Sequence, residues 1–299
     1  MRRKILDEKM EELYMPSRWV VRVPVDQAVP LHVKVTVAES KRVRDNVKSR
    51  LGVKYGPDLS DVVDMFNEEC SSKQMMVYVS GGYWQDLSGD ISSYTVAPLV
   101  SAGHCVAVVN YARAGPSQDM GGILAQMERA VAWLVRYAQE RGMAVWLSGH
   151  SAGSHLCAMV LSSSWYEGLP HQDRNIVRGV IHLSGVFDLV PLLRTSVNTP
   201  LKMTRLDAEL FSPLQQSNLD RLCMAKHLQH WVVVGENDSP AFKEQAEKYV
   251  GELEGRGGQV AYTVQPGEDH FTLVEKLMEE EYSLTQQCKE FMDKGCLGV

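Results

Sequence analysis

The stretch that most constrains this chain is Gly149-His150-Ser151-Ala152-Gly153. It follows a short apolar run, Val145-Trp146-Leu147, and precedes a helix-forming run, residues 155–161. Strand, tight turn and helix in that order put Ser151 at the apex of a nucleophile elbow. Glycines on both sides keep side chains away where strand and helix almost touch. The hydroxyl is carried out of the sheet to a helix N-terminus, where backbone N–H groups and the helix dipole favour negative charge. The same residues also fit an ordinary glycine turn; the flanking strand and helix favour the elbow.

An elbow of this kind needs a parallel sheet around it, and the rest of the chain supplies one. Residues 6–14 read as a short charged helix. Residues 18–23 and 31–37 read as strands, the second alternating as an antiparallel edge would, with Pro24 and Pro30 punctuating the connection. Residues 38–60 are charged, then turn-rich, and are placed outside and partly helical. Apolar runs predict buried strands at 75–79, 104–111, 145–147, 177–187, 231–235 and 260–264. Between them, residues 91–102 and 117–141 fit crossover helices, the second with one apolar stripe and a stop at Arg141-Gly142. Ser239-Pro240 starts another helix, and residues 271–292 read as a long C-terminal one. Residues 188–227 carry no strand pattern and read as a cap-like insertion. The expectation is one α/β domain over residues 1–299: a mostly parallel central sheet of about eight strands, helices on both faces, and a small cap. In such sheets the site lies at the carboxyl ends of the strands.

Composition narrows the function. A net charge of −6 argues against nucleic acid or an anionic membrane as the main partner. The basic run at 41–50 reads as a solvated helix face. No stretch reaches the roughly 18 apolar residues of a membrane span, and the charged N-terminus has no long apolar run. The six cysteines are scattered and read as reduced thiols, which suits the cytoplasm. There is no His-Glu-x-x-His and no Cys-x-x-Cys, and His227-x-x-His230 lacks accompanying carboxylates. No Gly-x-Gly-x-x-Gly follows the first strand. Neither a metal nor another cofactor is expected.

A serine hydroxyl needs a base, and the base needs an orienting acid. In this architecture the order is Ser, then Asp or Glu, then His. Of the histidines after Ser151, only His270 sits in a loop directly after a late strand. His182 lies mid-strand, and His227 and His230 fit a cap surface or a strand entry. Asp238 follows the penultimate strand and suits the orienting acid; Glu236, Asp188 and Asp269 compete with it. The oxyanion hole should combine the amide of Ala152 with those of Gly82 and Tyr83, in the loop after the third strand. Losing one such donor typically costs about 3 kcal/mol.

These stretches together resemble the α/β-hydrolase-fold kynurenine formamidases (arylformamidases), relatives of the hormone-sensitive lipase group. The likeness rests on Pro16-Ser17-Arg18-Trp19, Gly81-Gly82-Tyr83-Trp84-Gln85, the elbow through Leu156, Ser184-Gly185-Val186-Phe187-Asp188-Leu189, Gly235-Glu236-Asn237-Asp238-Ser239-Pro240 and Asp269-His270-Phe271. It implies hydrolysis of N-formyl-L-kynurenine to L-kynurenine and formate, with Ser151 as nucleophile, Asp238 as acid, His270 as base, and Gly82 and Ala152 as oxyanion donors. One departure stands out: the family usually has His where this chain has Ser80, which bears on the aim of the oxyanion amides. An aromatic anilide needs flat apolar walls, and Tyr83, Trp84 and Phe187 are the candidates. The expected partner is this small molecule, without nucleic acid or membrane; a homodimer is compatible with the sequence. A broader carboxylesterase on the same triad, or a non-catalytic hydrolase-like binding protein, are the rival readings.

Overall fold

The computed structural model describes residues 7–115 and 118–295. Leu6, Ser117 and Cys296, which figure in the expectations above, lie outside the described residues. The sheet has eight strands: β1 (Ser49–Lys54), β2 (Val62–Phe66), β3 (Gln74–Val79), β4 (Cys105–Val109), β5 (Ala144–His150), β6 (Val177–Leu183), β7 (Gln229–Gly235) and β8 (Gln259–Gln265). Their order is β1-β2-β4-β3-β5-β6-β7-β8. The pairs β1–β2 and β2–β4 are antiparallel and all others parallel. The chain has the expected α/β-hydrolase architecture.

Side chains alternate across each strand and feed two cores. Met75, Val77 and Val79 of β3 enter one cluster, together with α4 (Met120–Arg141), α5 (Ala152–Leu161) and the helix Pro240–Gly255. Met76 and Tyr78 enter the other, together with α2 (Val25–Asn46), α3 (Val96–Ser101) and the helix Ser283–Lys294. α1 (Glu8–Leu13) is capped by Asp7, whose carboxylate accepts from the amides of Lys9 and Met10. α4 ends where Gly142 takes φ +63°, as its Arg-Gly stop predicts.

The N-terminal third corrects the sequence reading. Residues 31–37 are not a strand: they lie inside α2, a helix of 22 residues that passes through Pro30. Its buried positions are Ala28, His32, Thr36, Ser40 and Val43, a helical spacing made almost wholly of small and polar residues. Three of its valines face out, Val25 at 50%, Val29 at 47% and Val37 at 41% exposure. The Val-x-Val alternation therefore mimicked a strand. Residues 18–23 form no strand either; they comprise the end of a 3₁₀ turn, Pro16–Trp19, and an irregular segment. The first two strands are β1 and β2 instead, and β2 alone runs against the rest of the sheet. β3 is thus still the third strand, and the loop at residues 80–87 follows it as expected.

Smaller differences have local causes. β6 stops at Leu183 because Ser184 turns to φ +45°. Residues 91–102 are helical only over α3, after two 3₁₀ turns. The C-terminal helix is broken: Thr272–Glu275 and a 3₁₀ turn end at Glu279, and a new helix starts at Ser283. Glu279-Glu280-Glu281 lies where like charges meet the negative end of the first helix, which disfavours continuation. Residues 188–227 hold only short helices and turns. Among the described residues no helix is long and apolar enough to cross a membrane.

Candidate active site

β5 runs to His150, and Ser151 turns the chain at φ +53°, ψ −116° before α5 begins. A non-glycine residue in that region costs about 1–3 kcal/mol, so the surroundings must enforce it. They do so by close approach. A Cβ on Gly153 would lie 2.1 Å from the Val79 carbonyl oxygen, and one on Gly149 would lie 2.4 Å from the Gly153 carbonyl carbon. The Ser151 amide donates to the Leu183 carbonyl at 2.8 Å, fixing the turn to β6. The Ser151 side chain makes no capping bond to α5, so its hydroxyl remains available.

The loops after β7 and β8 bring Asp238 and His270 together. His270 Nδ1 donates to Asp238 Oδ2 at 2.9 Å, because a carboxylate only accepts. The other Asp238 oxygen accepts from the Ser239 amide at 2.7 Å. Phe242 packs edge-on against the His270 ring at 4.8 Å and His150 lies 4.7 Å away, which fixes the ring's orientation. With Nδ1 committed to Asp238, Nε2 carries the lone pair of the neutral ring.

The competing carboxylates are used elsewhere. Glu236 accepts from the Gly267 amide, Asp188 from the Val190 amide, and Asp269 from the amides of Phe271 and Thr272. Other histidines after Ser151 are likewise engaged. His182 bonds Ser154 Oγ, His227 donates to the Arg174 carbonyl, and His155 joins Trp84 Nε1 to the Phe211 carbonyl.

Ser151 and His270 open onto one cavity of about 180 Å³. Met15, Ser17, Val29 and His32 form a wall from the N-terminal arm. Gly82, Tyr83, Asp86 and Leu87 form another. Gly82 takes φ +99°, and a Cβ there would lie 2.3 Å from the Asp86 carbonyl oxygen, so only glycine fits the turn. The Gly82 carbonyl accepts from the amides of Gln85 and Asp86, while the amides of Gly82 and Tyr83 donate to no acceptor among the described residues. Ala152, fully buried, opens α5, where the first amides lack intrahelical partners. Tyr111 Oη donates to the Ser80 carbonyl at 3.0 Å and holds the base of this loop.

Of the aromatic residues expected to wall the substrate, only Tyr83 lines the cavity. Trp84 is fully buried against His155, and Phe187 is fully buried and stacked on Tyr249 at 4.0 Å. Both belong to the hydrophobic core. Sequence reasoning missed His32, His150, Ser17, Asp86 and Tyr111. His150 lay in plain view beside Ser151; it donates Nε2–H to the His270 carbonyl at 2.9 Å. Burial, then the facing His270 and His32, push its imidazole well below the ordinary range and keep it neutral.

The sequence model of the BD-FAE family matches residues 63–248. The chain is 35% identical to a kynurenine formamidase of Danio rerio over 293 residues, spanning 96% of this chain and 97% of that protein. It is 34% identical to one of Salmo salar with the same coverage, and 29% identical to one of Drosophila melanogaster over 91% of this chain and 92% of that one. Among solved structures, an esterase of the bacterial hormone-sensitive lipase family superposes with a TM-score of 0.69 at 18% identity, covering 96% of this chain and 97% of that one. A Pyrobaculum calidifontis esterase gives 0.68 at 15% identity, with 98% and 100% covered. The two esterases share the fold alone; the near full-length sequence match goes further, and by it this chain belongs to the kynurenine formamidase family of α/β-hydrolase enzymes.

Proposed function

We propose that the protein hydrolyses N-formyl-L-kynurenine to L-kynurenine and formate, a step of tryptophan catabolism, through a formyl-enzyme on Ser151. One observation carries the reading: Ser151 and His270 share a cavity while Asp238 binds His270 Nδ1 at 2.9 Å, in a chain that matches kynurenine formamidases over 96% of its length. Ser151 Oγ attacks the formyl carbon as His270 Nε2 takes its proton. The carbonyl oxygen becomes anionic and is held by the amides of Ala152, Gly82 and Tyr83. The intermediate collapses as the imidazolium returns that proton to the anilide nitrogen, which leaves as the free amine. Water then attacks the formyl ester, again with His270 as base, and formate departs. Asp238 fixes the tautomer and stabilises the imidazolium throughout.

We read residues 1–299 as one domain in which 188–227 form a cap-like insertion. Among the described residues five cysteines are buried and free, which supports a reducing compartment such as the cytoplasm.

The test compares kcat/KM for N-formyl-L-kynurenine with that for an acetyl ester and a butyryl ester, with Ser151→Ala as the blank. Strong preference for the formyl anilide, lost in the blank, is the expected result. Preference for the longer ester would keep the triad and make the protein a broader carboxylesterase. An intact fold that turns over none of them would make it a binding protein.

A further inference from the structure

Besides His150 and the Tyr83 hydroxyl, tied to the His270 and Tyr14 carbonyls, three polar side chains on the catalytic cavity are left unused by the reaction above. His32 is 2% exposed and projects from α2. Its Nδ1 donates to Glu275 Oε1 at 2.9 Å. Glu275 is fixed in turn by both terminal nitrogens of Arg22, each at 2.7 Å. His32 Nε2 has no partner among the described residues. Ser17, 7% exposed, lines the same wall, and its hydroxyl is also without a partner there. On the loop at residues 82–87, Asp86 also lines the cavity, and its carboxylate forms no ion pair or hydrogen bond among the described residues.

His32 Nε2 is not among the sealed, unpartnered polar atoms of the described residues, so a ring braced from behind by an arginine-clamped glutamate keeps its free edge open to a ligand. Burial works to raise the Glu275 carboxyl, but the bonds and charges from His32 and Arg22 outweigh it and hold it ionised. A ligand carboxylate at Nε2 would put an anion on each ring nitrogen, so that both N–H groups donate in the complex. The cavity therefore offers an imidazole edge and a hydroxyl on one wall and an unpaired carboxylate on the other. An α-amino acid carries the complementary pair of charges on a single carbon.

We propose that these residues form a zwitterion clamp for the substrate's amino-acid end: His32 Nε2 and Ser17 Oγ bind the carboxylate, and Asp86 binds the ammonium. The proposal rests on the formamidase reading and names the specificity-determining residues it lacked. Glu275 and Arg22 are positioning residues that act through His32.

The experiment uses four formanilides: N-formyl-L-kynurenine, its decarboxylated amine, its deaminated acid, and 2-formamidoacetophenone, which has neither charge. Asp86→Asn should raise KM about tenfold for the amino acid and the amine only, the loss of roughly one ion pair. Asp86 is exposed, so this variant tests the clamp without a folding risk. His32→Asn places an amide nitrogen near Nδ1 to keep Glu275 company while removing the cavity-facing nitrogen. It should raise KM about tenfold for the amino acid and the acid only, with kcat within about threefold in both variants. Equal losses on all four substrates, or no change in KM for either variant, would overturn the clamp and leave the formamidase standing. Failure of the wild-type protein to cleave any formanilide would overturn both.

Discussion

Two imidazole–carboxylate pairs border one cavity, and both have an N–O distance of 2.9 Å. His270 and Asp238 come from the loops after two adjacent parallel strands. His32 and Glu275 come from the N-terminal helix α2 and a short helix near the C-terminus. The chemical difference lies in what else the carboxylate holds. Asp238 takes one further neutral donor, the Ser239 amide, so its charge is available to an imidazolium formed on His270. Glu275 shares its charge with the Arg22 guanidinium through both oxygens. Equal distances thus serve different ends. The first pair suits a ring that gains and loses a proton within each turnover, and the second suits a ring fixed as part of a binding wall.

The largest effect should separate the pairs at once. Asp238→Asn should lower kcat for N-formyl-L-kynurenine by about 10⁴, because the amide presents the wrong partner to His270 Nδ1. Glu275→Gln should lower kcat by less than about tenfold and act mainly on KM. Steady-state kinetics of both proteins, against Ser151→Ala as the floor, make the comparison. An equal fall in kcat would abolish the distinction and bring Glu275 into the chemistry.

The two pairs also differ in how far the sequence disclosed them. His270 and Asp238 were legible because each follows an apolar strand by a few residues, at the end of a sheet where active sites assemble. The elbow was legible because Gly149 and Gly153 are demanded by contacts that no Cβ tolerates. His32 was hidden because α2 buries a polar stripe and exposes valines, so hydrophobic periodicity pointed to the wrong element. β1 was hidden for a related reason. It is an edge strand with Gly52 at an irregular pairing and Arg50 and Lys54 exposed, and it is held by its neighbour more than by apolar content. Trp84 and Phe187 show the opposite error. Aromatic residues next to a site look like walls, and only the packing reveals that the core claimed them.

Histidines without any carboxylate sharpen the contrast through stability. Burial lowers His155 and His230 to about 4 each, so both stay neutral when folded. In the unfolded chain an imidazole titrates near 6.5. Above that pH neither state binds the proton and these residues add no pH dependence. As pH falls from about 6.5 towards 4, the unfolded state alone takes up protons, and each histidine destabilises the fold by roughly 1.4 kcal/mol per pH unit. Glu275 acts lower down: its carboxyl is held below the ordinary value of 4.5, so its contribution is present above that pH and is lost as pH falls through the folded value. Urea unfolding at pH 7.5, 6.5, 5.5 and 4.5 should give a plateau followed by a steepening loss. A constant midpoint down to pH 4.5 would mean that these imidazoles are protonated in place.

The smallest effect concerns the loop that serves the first pair. Where the family usually has histidine, this chain has Ser80, and the brace on the loop is Tyr111, whose hydroxyl donates to the carbonyls of Ser80 and Gly81 at 3.0 and 3.3 Å. Burial pushes the Tyr111 phenol above its ordinary range, so it stays a donor at any working pH. Tyr111→Phe keeps the ring and removes only that donor. The Gly82 and Tyr83 amides would stay in place but lose part of their aim, so kcat should fall by about tenfold, well short of the 10² to 10³ for deleting an oxyanion donor outright. KM should hold, because the clamp on the amino-acid end stands on α2 and on Asp86. A fall in kcat with KM unchanged assigns the brace to the oxyanion loop. A rise in KM with kcat unchanged would instead tie Tyr111 to the Asp86 side of the cavity, and the two regions would then be one mechanical unit.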